Sequence, residues 1–249
     1  VISTDEIDKL QADVDSLAQN KQVSRVYNAA AAKEYKEKVI EMGIPQNMVF
    51  QIGPMIIDGI KKNNTLSKRD FEILTGYKFG KKNILVTYHP ETLAEDYGFS
   101  GFLALLNAIM QIDCNVLFTS PNADEGGANL LIKLKEFISE DPKKYFHISS
   151  LGQMKYINAL KLFDAIVGNS SSGIIEAPLI DVPVLNIGKR QAGRIRFGEV
   201  QDVTTDQEEI KQALCKMLTS NNYSWRNNHK LDNLDSPSSQ ILDWLKKVF

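Results

Sequence analysis

The sequence predicts an α/β fold built on a doubly wound parallel sheet, and three observations predict it. Short apolar runs at Ile84–Thr87, Val116–Thr119, Phe146–Ile148, Ala165–Val167 and Val182–Ile187 read as strands buried on both faces. Helical patterns fill the gaps between them, at about 100–112, 125–140, 153–163 and 173–180. The third observation is the stretch Asp164-Ala-Ile-Val-Gly-Asn-Ser-Ser-Ser-Gly-Ile-Ile-Glu-Ala-Pro178, a strand, a small-residue turn and a helix in sequence. Right-handed crossovers make such a sheet doubly wound, with its ligand at the carboxyl ends of the strands.

That stretch organises the rest. The turn Gly168 to Gly173 offers hydroxyls and free backbone N–H groups where a helix dipole is positive, which suits a phosphate. Glu176 lies four residues after Ser172, not three, so it forms no capping box with any of the serines. Beside a diphosphate it would be repelled unless it met a neutral hydroxyl pair such as a ribose diol. Two readings stand from spacing alone: a nucleotide-phosphate site, or a serine-capped core helix.

Composition sets the outer bounds. The 249 residues are enough to bury a core in one large domain or two smaller ones, and 43% hydrophobic with 24% charged residues is ordinary for a soluble chain. A net charge of -2 gives no electrostatic case for nucleic acid or an anionic membrane. Cys114 and Cys215 make no metal spacing and no disulfide framework, so a reducing cytoplasm is expected. No run of about 18 apolar residues is present, and no signal-peptide pattern. The chain begins with Val1, which suggests a fragment.

In chain order, residues 4–20 suit an amphipathic helix with Ile7, Leu10, Val14 and Leu17 as its stripe. Residues 23–28 read as a strand, and an alanine-rich helix from about 29 to 42 stops at Gly43 and Pro45. Val49–Gly53 is a further strand candidate, followed by a short helix at Ile56, Ile57 and Ile60. The polar stretch 61–81, with a helix at 68–75 and glycines at 76 and 80, reads as a linker. The expected divisions are therefore 1–60, 61–81, 82–235 and a closing helix at 236–249, whose apolar face is Ile241, Leu242 and Leu245.

The strand rule places His89, Thr119-Ser120, Ser149-Ser150, Gly168–Gly173 and Gly188–Arg196 on one rim. His89 follows the first strand of the series and is fixed by Pro90. Gly188-Lys-Arg-Gln-Ala-Gly-Arg-Ile-Arg196 has four cations in nine residues, and Arg190 and Arg194 are placed to close over a diphosphate. The segment at Phe146 is a candidate for holding a base against its backbone. His147 and His229 are read as structural, and no metal-ligand spacing occurs.

Three motifs carry a resemblance. Tyr88-His-Pro-Glu-Thr-Leu93, Val167-Gly-Asn-Ser-Ser-Ser-Gly-Ile-Ile-Glu-Ala-Pro178 and Asn186-Ile-Gly-Lys-Arg-Gln-Ala-Gly-Arg194 together resemble the hydrolysing UDP-N-acetylglucosamine 2-epimerases, from about Val23 to the C-terminus. The resemblance implies a Rossmann-like C-terminal lobe of a two-lobed glycosyltransferase (GT-B-like) architecture, with 1–60 as a remnant of the other lobe. It implies that Ser170, Ser171, Ser172 and Gly173 hold the diphosphate and Glu176 the ribose hydroxyls. His89 falls near the phosphates and sugar as a catalytic residue, and Arg190 and Arg194 match the family's arginine loop. The implied ligand is UDP-N-acetylglucosamine or a related nucleotide sugar, with no cofactor, and the implied assembly is a homodimer of the complete enzyme.

The resemblance also implies that the carboxylates moving the C2 proton belong to an N-terminal lobe of which this chain holds only about 23–43. An incomplete copy, inactive alone and prone to self-association through an uncovered face, is the expectation. Two other functions stay open: a UDP-sugar glycosyltransferase of the same fold, or a non-catalytic UDP-binding module.

Overall fold

The strand Asn83–Thr87 (β3) is buried at every position, which a strand achieves only when both faces of its sheet are covered. The computed structural model describes residues 28–62, 65–219 and 234–248. It gives two compact units, residues 62–234 and residues 1–61 together with 235–249.

Among the described residues of the larger unit six strands run parallel in the order β5-β4-β3-β6-β7-β8. They are β3, β4 (Asn115–Thr119), β5 (Tyr145–Ile148), β6 (Ala165–Gly168), β7 (Val184–Ile187) and β8 (Gln201–Val203). Alternation of side chains divides the interior into two cores. Ile84, Val86, Val116, Phe118, Ala165, Val167, Leu185 and Ile187 face the first core. Leu85, Leu117, Ile166 and Val184 face the second. The helices Phe99–Met110 (α4), Gly127–Glu140 (α5) and Gln207–Thr219 (α7) cover the first face through Leu105, Leu134 and Leu214. Lys68–Thr75 (α3) and Gly152–Leu162 (α6) cover the second through Phe71 and Leu160. The doubly wound parallel fold expected from the rhythm of the sequence is present.

Residues 65–81 pack against the second core. Phe71 and Tyr77 are buried with Phe163, and Leu66 and Phe79 pack against the same core. Burying Phe71 contributes roughly 2–3 kcal/mol. The polar residues that suggested a linker instead delimit α3. Ser67 Oγ accepts the Asp70 N–H at its start, and Gly76, at φ 79°, lets the chain leave its end. The second missed feature is β8, a three-residue edge strand whose Gln201 and Asp202 gave no apolar run. Helix α7 is a third, adding Leu214 and Met217 to the first core.

In the smaller unit, Asn28–Ala30 (β1) and Val49–Gln51 (β2) pair in parallel across the helix Lys33–Glu41 (α1). The expected helix 4–20, and most of the strand placed at 23–28, lie outside the described residues. Asp58, on Ile56–Lys62 (α2), caps the start of Pro237–Val248 (α8). It accepts from Ser236 Oγ at 2.5 Å and from the Ser238 N–H at 2.9 Å. Trp244 of α8 lies 3.9 Å from Phe50, centroid to centroid.

Candidate functional site

β3 and β6 are neighbours in the sheet, yet the chain leaves them towards opposite faces, and a crevice at their carboxyl ends results. Thr87 pairs in register with Gly168 there. Gly168 has φ 132°, and a Cβ on it would stand 2.0 Å from the Thr87 carbonyl oxygen. Only glycine allows this approach.

Asn169 follows, wholly buried, and clasps the other half of the crevice. Its Oδ1 accepts the His89 N–H at 2.7 Å while its Nδ2 donates to the His89 carbonyl at 2.9 Å. One carboxamide thus satisfies both polar groups of a buried residue on the neighbouring strand's loop. The carbonyl of Asn169 in turn accepts Gln191 Nε2 at 2.7 Å and Arg190 NH1 at 3.2 Å, and Arg190 Nε donates to the Pro90 carbonyl at 3.2 Å. The histidine loop, the serine turn and the arginine loop are therefore joined through one residue.

The serine turn departs from expectation. Residues 173–180 form no α-helix: 3₁₀ turns at Ser171–Gly173 and Ala177–Ile180 flank a plain turn at 174–176. Pro178 explains it, since it has no N–H to give the Ile174 carbonyl. The N–H of Phe197 takes that carbonyl instead, at 3.0 Å, and ties down the far end of the arginine loop. The turn keeps its small-residue geometry without a full helix dipole. Ser170 Oγ accepts the Ser172 N–H at 3.4 Å. Ser171 is partly exposed, and its carbonyl accepts the N–H groups of Ile174 and Ile175.

Glu176 is partly buried, with Oε2 enclosed and without a hydrogen-bond partner, and burial raises its carboxyl above the usual range. A donor such as a hydroxyl would relieve that cost. Burial, and secondly the Arg190 guanidinium, lower His89 from 6.5 to about 4. Its Nδ1 accepts the Asn122 N–H at 3.1 Å, so at neutral pH the imidazole is uncharged with its proton on Nε2. Burial and then Arg194 lower Arg190, which remains a cation. Arg194 is exposed, whereas Arg196 is bound by two nitrogens to Asp202, at 2.6 and 2.9 Å. Of the loop's arginines, Arg190 is the one built into the crevice.

His89, the serine turn, Glu176 and Arg190 thus belong to one connected region, with Arg194 at its exposed edge. Phe146 does not join them. It stands in mid-strand, and its ring packs against Tyr77 at 6.3 Å with an edge 3.4 Å from where a Gly76 Cβ would be. Strand alternation turns its side chain into the second core. Three residues of the region were not singled out from sequence: Asn169, Gln191 and Tyr156, whose hydroxyl donates to Ser172 Oγ. The first two lay inside the quoted motifs, but an amide that bridges loops has no local pattern. His147, read as structural, pairs its Nε2 with Ser120 Oγ at 2.9 Å. His229 lies outside the described residues.

A cavity of about 510 Å³ adjoins this region, between Glu91 and the arginine loop on one side and Thr204, Thr205 and Glu209 on the other. Another, of about 480 Å³, lies around Lys161, Asp164 and Asp181, away from the crevice residues. Among the described residues no cluster of His, Cys, Asp and Glu is arranged to hold a metal, and no helix is long and apolar enough to cross a membrane.

The fold is a doubly wound α/β lobe with this crevice at its strand ends, and comparison with known proteins gives its family. The model of the UDP-N-acetylglucosamine 2-epimerase family matches residues 20–245, and the chain belongs to that family. It is 34% identical over 184 residues to the GDP/UDP-N,N'-diacetylbacillosamine 2-epimerase (hydrolyzing) of Campylobacter jejuni, covering 74% of this chain and 47% of the relative. It is 32% identical over 186 residues to the polysialic acid biosynthesis protein P7 of Escherichia coli, with the same coverage, 74% and 47%. The chain spans about half the length of these curated relatives. Among solved structures, the UDP-GlcNAc 2-epimerase of Neisseria meningitidis bound to UDP-GlcNAc superposes with a TM-score of 0.64 at 16% identity, over 89% of this chain and 62% of that one. The Methanocaldococcus jannaschii enzyme in complex with UDP-GlcNAc and UDP gives 0.58 at 19% identity, over 88% and 61%. The fold is accordingly part of the GT-B-like architecture of these epimerases.

Proposed function

We propose that this chain carries the UDP-binding lobe of a hydrolysing UDP-N-acetylglucosamine 2-epimerase, which turns UDP-GlcNAc and water into N-acetylmannosamine and UDP for sialic acid or a related acidic sugar. The observation that supports it best is the Asn169 clasp, which holds a neutral histidine, a half-buried arginine and a hydroxyl-rich turn around one crevice. Ser170, Ser171, Ser172 and Gly173 take the diphosphate, and Glu176 takes the ribose hydroxyls.

The chemistry starts with loss of the C2 proton and cleavage of the bond from C1 to the diphosphate, which gives a C1–C2 alkene and free UDP. Water then adds across the alkene, with hydroxyl to C1 and a proton to the opposite face of C2. Negative charge grows on the departing β-phosphate in the first step. His89 Nε2–H and the Arg190 guanidinium stabilise it there, and Arg194 closes from the loop edge. The groups that move the C2 proton are assigned to the other lobe, so this chain alone is expected to bind without turnover. We also place the complete enzyme in the cytoplasm as a homodimer.

Following the complete enzyme by proton NMR in deuterated water tests the reaction. The proposal expects UDP and N-acetylmannosamine carrying deuterium at C2. Sugar transferred to an acceptor with its C2 proton retained would instead identify a glycosyltransferase of the same fold.

A further inference from the structure

Ser172 sits in the middle of a hydroxyl relay. The Tyr156 hydroxyl, on α6, donates to Ser172 Oγ. Ser172 Oγ donates in turn to Ser170 Oγ at 3.1 Å, and the Ser172 N–H reaches the same oxygen at 3.4 Å. A hydroxyl has one proton and two acceptor lone pairs. Both lone pairs of Ser170 Oγ are thus filled from within the protein, while the protons of Tyr156 and Ser172 are already spent. The proton of Ser170 is the one the relay leaves over. The phenol that starts the relay stays protonated, because burial holds it well above its ordinary range.

We infer that Tyr156 is a positioning residue that sets the polarity of the serine turn, so that Ser170 Oγ meets a ligand only as a donor. Such a hydroxyl complements an acceptor-only phosphate oxygen and disfavours a group that brings its own proton. Without the phenol, Ser172 is free to turn its proton elsewhere, and Ser170 then spends its own proton inside the turn. The ligand would lose one charge-assisted hydrogen bond although no residue touching it had changed. The inference rests on the reading of this turn as a diphosphate site, and it adds to it which hydroxyl faces the phosphate and what aims it.

The test titrates the full chain with UDP and, by competition, with uridine, which lacks the phosphates. In Tyr156→Phe the affinity for UDP is expected to fall roughly 5- to 10-fold, the scale of one hydrogen bond. Affinity for uridine should stay within about twofold, a separation that mere loosening of the fold would not produce. In a Ser172→Ala background the oxygen to which Ser170 would redirect its proton is gone, so adding Tyr156→Phe there should cost little, because both act through one relay. If Tyr156→Phe proves unstable, Ser170→Ala carries the test, since it removes the donated proton outright and should weaken UDP and not uridine by the same factor. Unchanged UDP affinity in Tyr156→Phe or, where that variant is unstable, in Ser170→Ala, or equal losses of UDP and uridine, would overturn the role of Tyr156 alone. A folded wild-type chain that takes up uridine no more weakly than UDP would overturn the diphosphate reading itself, and the inference with it.

Discussion

Replacing Gly168 by alanine is expected to unfold the larger unit or bring it close to unfolding. The new Cβ would stand 2.0 Å from the Thr87 carbonyl oxygen and 2.8 Å from its carbon, on a central strand pair. Neither partner has room to retreat, because Thr87 and Gly168 are both buried and each is fixed by the register of its strand. The backbone φ of 132° adds a conformation that side chains disfavour. Together these place the cost above about 4 kcal/mol, a large part of the stability of an ordinary domain. Gly193→Ala is the control. It also has positive φ, 74°, but its Cβ would meet nothing within 4 Å, so it should cost only about 1 kcal/mol. Thermal melts of the two variants check the contrast, and similar melting points would refute the close-approach account.

Asn169→Ala is expected to be the most damaging change of a side chain in the crevice. It removes two hydrogen bonds and leaves both the N–H and the carbonyl of buried His89 without partners. At about 1–3 kcal/mol for each orphaned group, the loss is on the order of 3–5 kcal/mol. Asn169→Asp separates the two bonds, because a carboxylate still accepts from the His89 N–H but has nothing to donate to its carbonyl. Denaturant unfolding should rank wild type above both variants. A loss below about 1 kcal/mol in Asn169→Ala would mean that the loops hold each other without the clasp.

These two residues show what the sequence could and could not disclose. The strands were legible because Ile84-Leu85-Val86 and Ala165-Ile166-Val167 are apolar on successive residues, which a doubly covered sheet requires. Edge strand β8 was not, since among the described residues one side of Gln201-Asp202-Val203 has no neighbouring strand and its residues need not be apolar. The helix expected after the serine turn was shortened by Pro178, whose effect depends on Phe197 arriving from a distant loop. Family resemblance placed His89, Ser170–Gly173, Glu176 and Arg190, and the fold brings those residues into one region. Phe146 and Tyr156 illustrate the limit. One is an aromatic on a strand and the other on a helix, and only the packing reveals which turns towards the serines. Asn169 and Gln191 work through bonds spanning more than twenty positions, and no local spacing encodes such a bond.

The central claim is that the Asn169-centred crevice binds the ribose and diphosphate of UDP. Calorimetric titration of the chain with UDP tests it most directly, alongside Ser171→Ala and Glu176→Ala. The account predicts saturable binding by the wild type, weakened in both variants, by roughly tenfold for each lost hydrogen bond to a charged group. Glu176→Ala should also erase the preference for UDP over its 2′-deoxy analogue, since the ribose diol is its proposed partner. A folded chain that binds no UDP, or that binds it equally well in all three forms, would contradict the account.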